Sequence, residues 1–320
     1  MAGDYRDRPP PALDPFGGPR RPAILGAMRY EGQVYRPPSE ANSLILQATI
    51  GCSYNRCSYC AMYLDKRFRQ RSREDLREDM RLAQRAWGAG AVRRVFLADG
   101  DALIMRTPRL LAILEDLRAA FPNFQRAAVY ASPQSLLAKS VDELAELRAA
   151  GLTHHYLGAE TGHPEVLARI RKGVTAEQMI DGGRRVVDAG ARLSVILLLG
   201  VGGVALSHEH AVASARLTNA MDPRYVSTLT LTPVPGTPIH DEVARGDLVL
   251  PDDRGLLIEM RTMLEHFDLS RAIFRSNHVS NALPIGGNLP DDQQRLVALV
   301  DAYANDPALP LRPRPGPERL

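Results

Sequence analysis

The sequence has almost no cysteine: three residues in 320, all between positions 52 and 60. An odd, clustered set in a chain without a secretion signal makes a poor disulfide framework. It points instead to metal or cluster binding in a reducing cytoplasm. Long apolar runs are missing too. None approaches the roughly 18 residues that a membrane span needs. The opening MAGDYRDRPPPALDPFGGPRRP has no apolar centre, so it does not read as a secretory signal. Charge of one sign is scarce: 40 basic against 37 acidic residues leave a net +3. So small an excess argues against an extended nucleic-acid-binding surface. The single tryptophan, Trp87, stands before Gly88 in a helical pattern and reads as a packing residue.

Proline and arginine crowd the two ends, and residues 1–38 and 307–320 read as disordered tails. Between them strand-like and helix-like runs alternate. Strand signals at 43–50, 92–98, 127–131, 154–159, 192–199 and 225–231 are separated by helical patterns at 73–89, 108–121, 141–150, 164–171, 176–189 and 208–220. Six βα-like units imply a parallel sheet with right-handed crossovers. Runs such as SVILLLG suit strands covered on both faces. Units of this kind lie flat as a doubly wound sheet or curl into an open barrel, and in both the active site gathers at the carboxyl ends of the strands. The expected fold is α/β: a partial (β/α)6 TIM-like barrel over 39–240, with a C-terminal helical extension over 241–306. That extension carries helical patterns near 252–267 and 291–304 around the extended IFRSNHVSNALPIGGN.

The cysteines lie in ATIGCSYNRCSYCAMYLDKRFR, with spacing Cys-x4-Cys-x2-Cys at the end of the first strand run. Short gaps let several thiolates converge on the corners of one small cube. Cys52, Cys57 and Cys60 would serve three irons, and with no fourth cysteine one iron stays open or takes another ligand. A zinc site of three cysteines and one histidine is the rival, although the nearest histidine in sequence is His154. A purely structural role for three clustered thiols is the other.

Over 39–236 the chain resembles the radical S-adenosylmethionine (SAM) superfamily, whose usual spacing is Cys-x3-Cys-x2-Cys; the first gap here is one residue longer. The resemblance implies that a [4Fe–4S] cluster on Cys52, Cys57 and Cys60 chelates SAM through its open iron. Reductive cleavage would then give a 5′-deoxyadenosyl radical that takes hydrogen from a substrate, with electrons from a donor such as flavodoxin or ferredoxin. Tyr59 matches an aromatic whose backbone contacts adenine. Asp99-Gly100-Asp101 stands where the family has Gly-Gly-Glu, which holds the methionyl ammonium; a strand-end turn with an aspartate cap is the plainer reading. In Gly158-Ala159-Glu160-Thr161-Gly162, Glu160 would meet the ribose hydroxyls. Arg169 or Lys172 would reach the SAM carboxylate, or else lie on a solvated helix face. Gly200-Val201-Gly202-Gly203 resembles a strand end near adenine. Pro233-Val234-Pro235-Gly236-Thr237 matches a family element closely. Within the superfamily the chain looks most like a bacterial subgroup distantly similar to oxygen-independent coproporphyrinogen oxidase and the methylthiotransferase core. That subgroup shares the lead-in Arg36-Pro37-Pro38-Ser39-Glu40 and a late element like 275–281.

What is missing narrows the expected reaction. Three cysteines leave none for a second cluster, which disfavours sulfur insertion, and none for a thiol hydrogen donor. About forty residues ahead of the motif are too few for a cobalamin-binding domain. What remains is hydrogen abstraction from a small molecule, followed by rearrangement, elimination, decarboxylation or oxidation, or a methyl transfer using a second SAM. The polar stretch 276–281 is the candidate for substrate contact, with His278 as acid or base and Asn281 beside it. Of His154 and His155, alternation turns one inward. The rival functions are a single-cluster electron carrier and a zinc-bound interaction module.

Overall fold

The computed structural model describes residues 28–316, so of the expected tails 1–38 and 307–320 only 1–27 and 317–320 lie outside the described residues. The chain runs β1 (Leu44–Gln47), β2 (Thr49–Ile50), β3 (Arg69–Gln70), α1 (Arg73–Trp87), β4 (Arg94–Ala98), α2 (Thr107–Ala120), β5 (Arg126–Ala131), α3 (Pro133–Leu137) and α4 (Val141–Ala149). It continues through β6 (Leu152–Glu160), α5 (Pro164–Arg169), α6 (Ala176–Asp188), β7 (Arg192–Leu199), α7 (Ser207–Met221) and β8 (Tyr225–Thr230). The last elements are α8 (Pro238–Arg245), α9 (Asp253–His266), β9 (Ala272–Arg275), β10 (Gly286–Leu289) and α10 (Gln293–Asn305). The helices start where the sequence offers caps. Ser72 accepts from the Asp75 amide at the head of α1, and Ser140/Glu143 and Thr175/Gln178 close reciprocal capping boxes on α4 and α6. Each such cap stabilises by about 1 kcal/mol.

The result is a mixed α/β fold with a central sheet and flanking helices. Eight strands form the sheet in the order β1-β4-β5-β6-β7-β8-β9-β10. The order never reverses, which separates it from a doubly wound sheet, whose order does. Strands β1 and β4 to β9 run parallel, and only β10 is antiparallel. All the parallel strands therefore deliver their carboxyl ends to one side. Alternation sorts the side chains. Leu46, Val95, Leu97, Val129, Leu157, Val195 and Leu197 face the helices in one large core, while Ile45, Phe96, Ala98, Ala128 and Tyr156 form a second cluster on the opposite face. Each fully buried Leu or Phe contributes roughly 1.5–3 kcal/mol.

Three features differ from expectation. The run 43–50 is not one strand: it breaks at Ala48, and β2 leaves the main sheet to pair antiparallel with β3. That departure swings the cysteine loop out over the sheet end. The stretch after Phe267 supplies two more strands, β9 and β10, where only extended chain was expected. Finally, parts of both expected tails pack onto the protein: at the C-terminal end the Arg312 amide donates to Ala282 O (2.8 Å) and Arg314 pairs with Asp253 (2.7 Å), and at the N-terminal end residues 28–38 lie against the sheet. The Tyr30 hydroxyl donates to Ile45 O (2.9 Å), Glu31 and Gln47 exchange hydrogen bonds, and Arg29 pairs with buried Asp79 (2.7 Å). The lead-in Ser39-Glu40 follows. Glu40 is fully buried, and its Oε1 takes the Tyr156 hydroxyl (2.7 Å) and stands 2.9 Å from Arg126. Arg126 opens β5, so this network sits toward the amino ends of the strands, away from the cysteines.

Candidate functional site

The cysteine loop is built before any ligand is considered. Gly51 turns the chain out of β2 at φ +74°, a left-handed conformation that costs glycine little. Its amide donates to Asp99 Oδ2 (3.0 Å). Ser53 donates to Asp101 Oδ2, the Tyr54 hydroxyl to Arg171 O (2.8 Å), Ser58 Oγ to Arg169 O (3.0 Å), and Asn55 back across the loop to Tyr63 O (2.9 Å). The loop is thus stapled on one side to the end of β4 and on the other to the turn after α5. At Gly100 a Cβ would stand 2.5 Å from the Tyr63 ring and 2.9 Å from Cys52 Cβ, so only glycine fits between the loop and β4.

All three cysteines are free and half-buried. Burial pushes each thiol pKa up, that of Cys60 to about 12, and nearby Lys172 pulls all three the other way. Thiols in this state are protonated near neutrality until a metal displaces the protons. Among the described residues no three Cys, His, Asp or Glu side chains converge closely enough to hold one metal ion. Three thiols on one loop are the donor type that a cubane takes, each on a separate iron.

Beside the thiols lies a buried charge pair. Lys172 donates to Glu160 Oε1 at 3.1 Å, with both side chains 8 % exposed. Burial pulls the Lys172 pKa down, but Glu160 and the thiols outweigh it and leave it above the ordinary lysine value. Glu160 ends β6 at φ +66°, next to a register shift between Gly158 and Glu160. A non-glycine residue held there is strained, and bulges commonly re-aim side chains beside active sites. Tyr59 completes the corner: its ring lies 6.0 Å from Lys172 Nζ, and burial, with Glu160 next, holds its hydroxyl well above the usual phenol range.

The two aspartates of the β4 end differ. Asp101 is saturated: Oδ1 accepts from the Ser132 amide (3.0 Å), and Oδ2 accepts the Ser132 and Ser53 hydroxyls. It braces the loop against the start of α3. Asp99 Oδ2 takes Gln47, the Gly51 amide and Lys66 (2.9, 3.0 and 3.1 Å), while its Oδ1 is buried with no partner among the described residues. The free acceptor at this strand end therefore belongs to Asp99. The Tyr63 hydroxyl is likewise buried and unpartnered. Sequence reasoning passed over Tyr63, Ser53 and Ser132; the nearest signal was an aromatic three residues past Cys60.

Other expected residues stand elsewhere. Arg169 points to Glu242 on α8 (3.9 Å), so of the two basic candidates only Lys172 is buried beside the thiols. Gly200 adopts φ +81°, and its amide is taken by Glu259 (2.7 Å). His154 shares the Tyr156 face toward the amino end of β6, and His155 is buried on the opposite face with neither ring nitrogen bonded among the described residues. The segment after β9 does lie at the carboxyl ends of the strands. Its polar groups, however, are engaged with protein. Asn281 donates to Thr228 O (2.7 Å) and Ser276 Oγ (2.8 Å) and accepts from Thr230 Oγ1 (2.9 Å). Ser280 takes the Thr230 amide (3.0 Å) and meets His278 Nδ1 (2.8 Å). Burial, with Arg312 beside it, lowers the His278 pKa. Through these contacts Asn281 clasps β8. Replacing it with Ala should cost about 1–3 kcal/mol through the stranded partners and lower the melting temperature, while turnover per folded molecule stays unchanged. Selective loss of turnover at constant stability would restore Asn281 to the substrate side.

The fold and the loop define an α/β protein with a thiol-bearing site at the carboxyl ends of a parallel sheet. The profile of the radical SAM superfamily matches residues 46–214, just over half of the chain. The chain belongs to the radical SAM superfamily, a class of enzymes. It is 28% identical over 215 residues to the heme chaperone HemW of Mycobacterium tuberculosis, across 66% of this chain and 53% of that protein. The chain thus spans about half the length of the curated relatives it matches. In fold it is similar to methylornithine synthase (TM-score 0.51, 17% identity, 81% of this chain and 68% of that one). It is also similar to coproporphyrinogen III oxidase of Escherichia coli, itself a radical SAM enzyme (TM-score 0.51, 15% identity, 70% and 52%).

Proposed function

We propose that this protein cleaves SAM reductively at a [4Fe–4S] cluster and uses the product to take hydrogen from a small-molecule substrate. The observation that carries the reading is the set of three free, half-buried thiols on one pinned loop, gathered beside the Lys172–Glu160 pair. Cys52, Cys57 and Cys60 would hold the cluster. When bound, cluster and SAM together supply a 5′-deoxyadenosyl radical. The protein's own groups bind and orient. Asp99 Oδ1, a buried acceptor without a donor among the described residues, suits the methionyl ammonium; Asp101 holds the loop through Ser53. Lys172 supplies the cation for the carboxylate, and Glu160, with Tyr59 and the Gly200 turn, forms the nucleoside side. The sheet curls as an open barrel around this end. Substrate enters from the side of 276–281, where His278 remains the candidate acid or base. Electrons come from a small donor such as flavodoxin or ferredoxin, in a reducing cytoplasm that keeps free thiols intact. Among the described residues no helix is long and apolar enough to cross a membrane.

Anaerobic reconstitution with iron and sulfide should give a brown protein. With dithionite and SAM it should form 5′-deoxyadenosine and methionine in equal amounts. A brown protein that forms no 5′-deoxyadenosine would be an electron carrier. A colourless one that takes up only zinc would be a binding module.

A further inference from the structure

Behind Glu160 runs a buried polar chain that the cysteine loop does not use. Thr161, the next residue, has its Oγ1 2.8 Å from Nδ1 of His210 on α7. On the far side of the ring, His210 Nε2 stands 3.4 Å from Oε1 of Glu259 on α9, too poorly aligned to make a good hydrogen bond. Glu259 in turn accepts the Gly200 amide on Oε1 (2.7 Å) and the Ser207 hydroxyl on Oε2. Ser214, one turn along α7, accepts the Gly162 amide (3.1 Å). Thr161, His210 and Ser214 are fully buried and Glu259 is 1 % exposed.

Among the described residues Glu259 has no Lys or Arg partner, and a carboxylate buried in that way is costly, so fold stability alone is a weak reason to keep it. Its partners here are informative. The order hydroxyl, imidazole, carboxylate is that of a nucleophilic triad, but Thr161 is sealed from solvent and its oxygen already accepts the His163 amide (2.9 Å). A covalent role is therefore excluded. The cluster holds two strand ends from two helices: α7 holds the β6 end through His210–Thr161 and Ser214–Gly162, α9 holds the β7 end through Glu259–Gly200, and the two halves meet in the 3.4 Å packing of His210 against Glu259. The Glu160 turn is strained and persists only where surrounding contacts fix it, while Gly200 adopts its turn freely and is held in one place by the bond from its amide to Glu259. The fixing carboxylate comes from α9, beyond the 46–214 region shared with the superfamily.

We infer that His210 and Glu259 are positioning residues that lock the Glu160 and Gly200 turns at a fixed separation, setting the width of the slot for the ribose and adenine half of SAM. This rests on the assignment of those two turns to the nucleoside given above. A misplacement on the order of 1 Å is enough to cost a large factor in binding or rate.

The test compares Glu259→Ala, Glu259→Gln and Glu160→Ala in cluster-loaded protein, with SAM affinity by calorimetry, iron content, melting temperature and amide exchange at 160–163 and 200–203. Glu259→Ala should weaken SAM binding about tenfold or more and speed exchange at both turns, with iron content kept. Glu259→Gln, which retains an acceptor for the Gly200 amide, should stay within about threefold. Failure of Glu160→Ala to weaken SAM binding overturns the nucleoside assignment itself. A weakened Glu160→Ala beside a Glu259→Ala of wild-type affinity overturns only the positioning role. So does a Glu259→Ala whose loss merely tracks its folded fraction. Should Glu259→Ala not fold, His210→Asn decides the same question: it keeps a polar atom for Thr161, removes the edge facing Glu259, and should show the same weakening.

Discussion

Cys52→Ser, Cys57→Ser and Cys60→Ser should each fold and each fail to hold a full cluster. Iron should fall from roughly four per chain to less than about one after desalting, and SAM cleavage should fall to background. The reasoning begins with the loop, which does not depend on its thiols for shape. Gly51 is tied to Asp99, Ser53 to Asp101, Ser58 to Arg169 and Asn55 to Tyr63, all through groups other than sulfur. Removing one sulfur therefore subtracts a ligand and leaves the scaffold. No other cysteine exists to replace it. Two neighbouring changes should look different. Asp101→Ala frees Ser53 and Ser132, so it should loosen the loop and slow cluster assembly without abolishing it. Gly100→Ala forces a methyl against the Tyr63 ring and Cys52 Cβ, so it should both destabilise the protein and displace a ligand. Full iron and sulfide in any one serine variant would remove that cysteine from the ligand set.

The alternation of elements was legible in the sequence because it rests on local signals. Ser72, Ser140 and Thr175 announce helices, and β-branched or leucine-rich runs bounded by Gly51, Gly151, Gly190 and Gly200 announce strands. The cysteine loop was legible for the same reason, since spacing of three thiols within nine residues is a local fact. What stayed hidden depends on distance in the chain. Nothing local says that Ala48 breaks the first strand run, because the break is set by pairing with residues 69–70 and 98. Nothing in Asp99-Gly100-Asp101 says which aspartate is free; that follows from Ser132 lying over Asp101 and from Lys66 and Gln47 leaving one Asp99 oxygen open. The hold of Asn281 on β8 was equally hidden, because a cluster of polar residues looks the same in sequence whether its partners are a ligand or the backbone of β8. The Arg36–Glu40 lead-in was visible as a motif, but its place against Tyr156 and Arg126 is a tertiary fact.

The Glu160–Lys172 pair is expected to separate structural from cofactor roles more sharply than any single change. The pair is nearly buried, at 3.1 Å. Removing one partner strands the other charge, so Lys172→Met alone should cost about 3–5 kcal/mol and lower the melting temperature steeply. Glu160→Gln alone should do less, since an amide oxygen can still accept from Lys172. The double variant replaces the pair by neutral groups of similar size, a change that is often neutral or even stabilising. If the pair serves only the fold, the double variant should recover stability and SAM affinity together. If it serves the cofactor, stability should return while SAM affinity stays down by about a hundredfold, the worth of two lost charge-assisted contacts of roughly 1.5 kcal/mol each. The second outcome is expected, for a reason that lies in the backbone. Glu160 is held in a left-handed conformation, next to a bulge, at the carboxyl end of its strand. A purely structural ion pair needs none of that, because a glutamate on regular β6 backbone could meet a lysine without strain. Strain of this kind persists where a side chain must point in one direction for something it binds. Recovery of both properties in the double variant would reduce the pair to a structural brace and move the carboxylate and ribose contacts of SAM elsewhere on the strand ends.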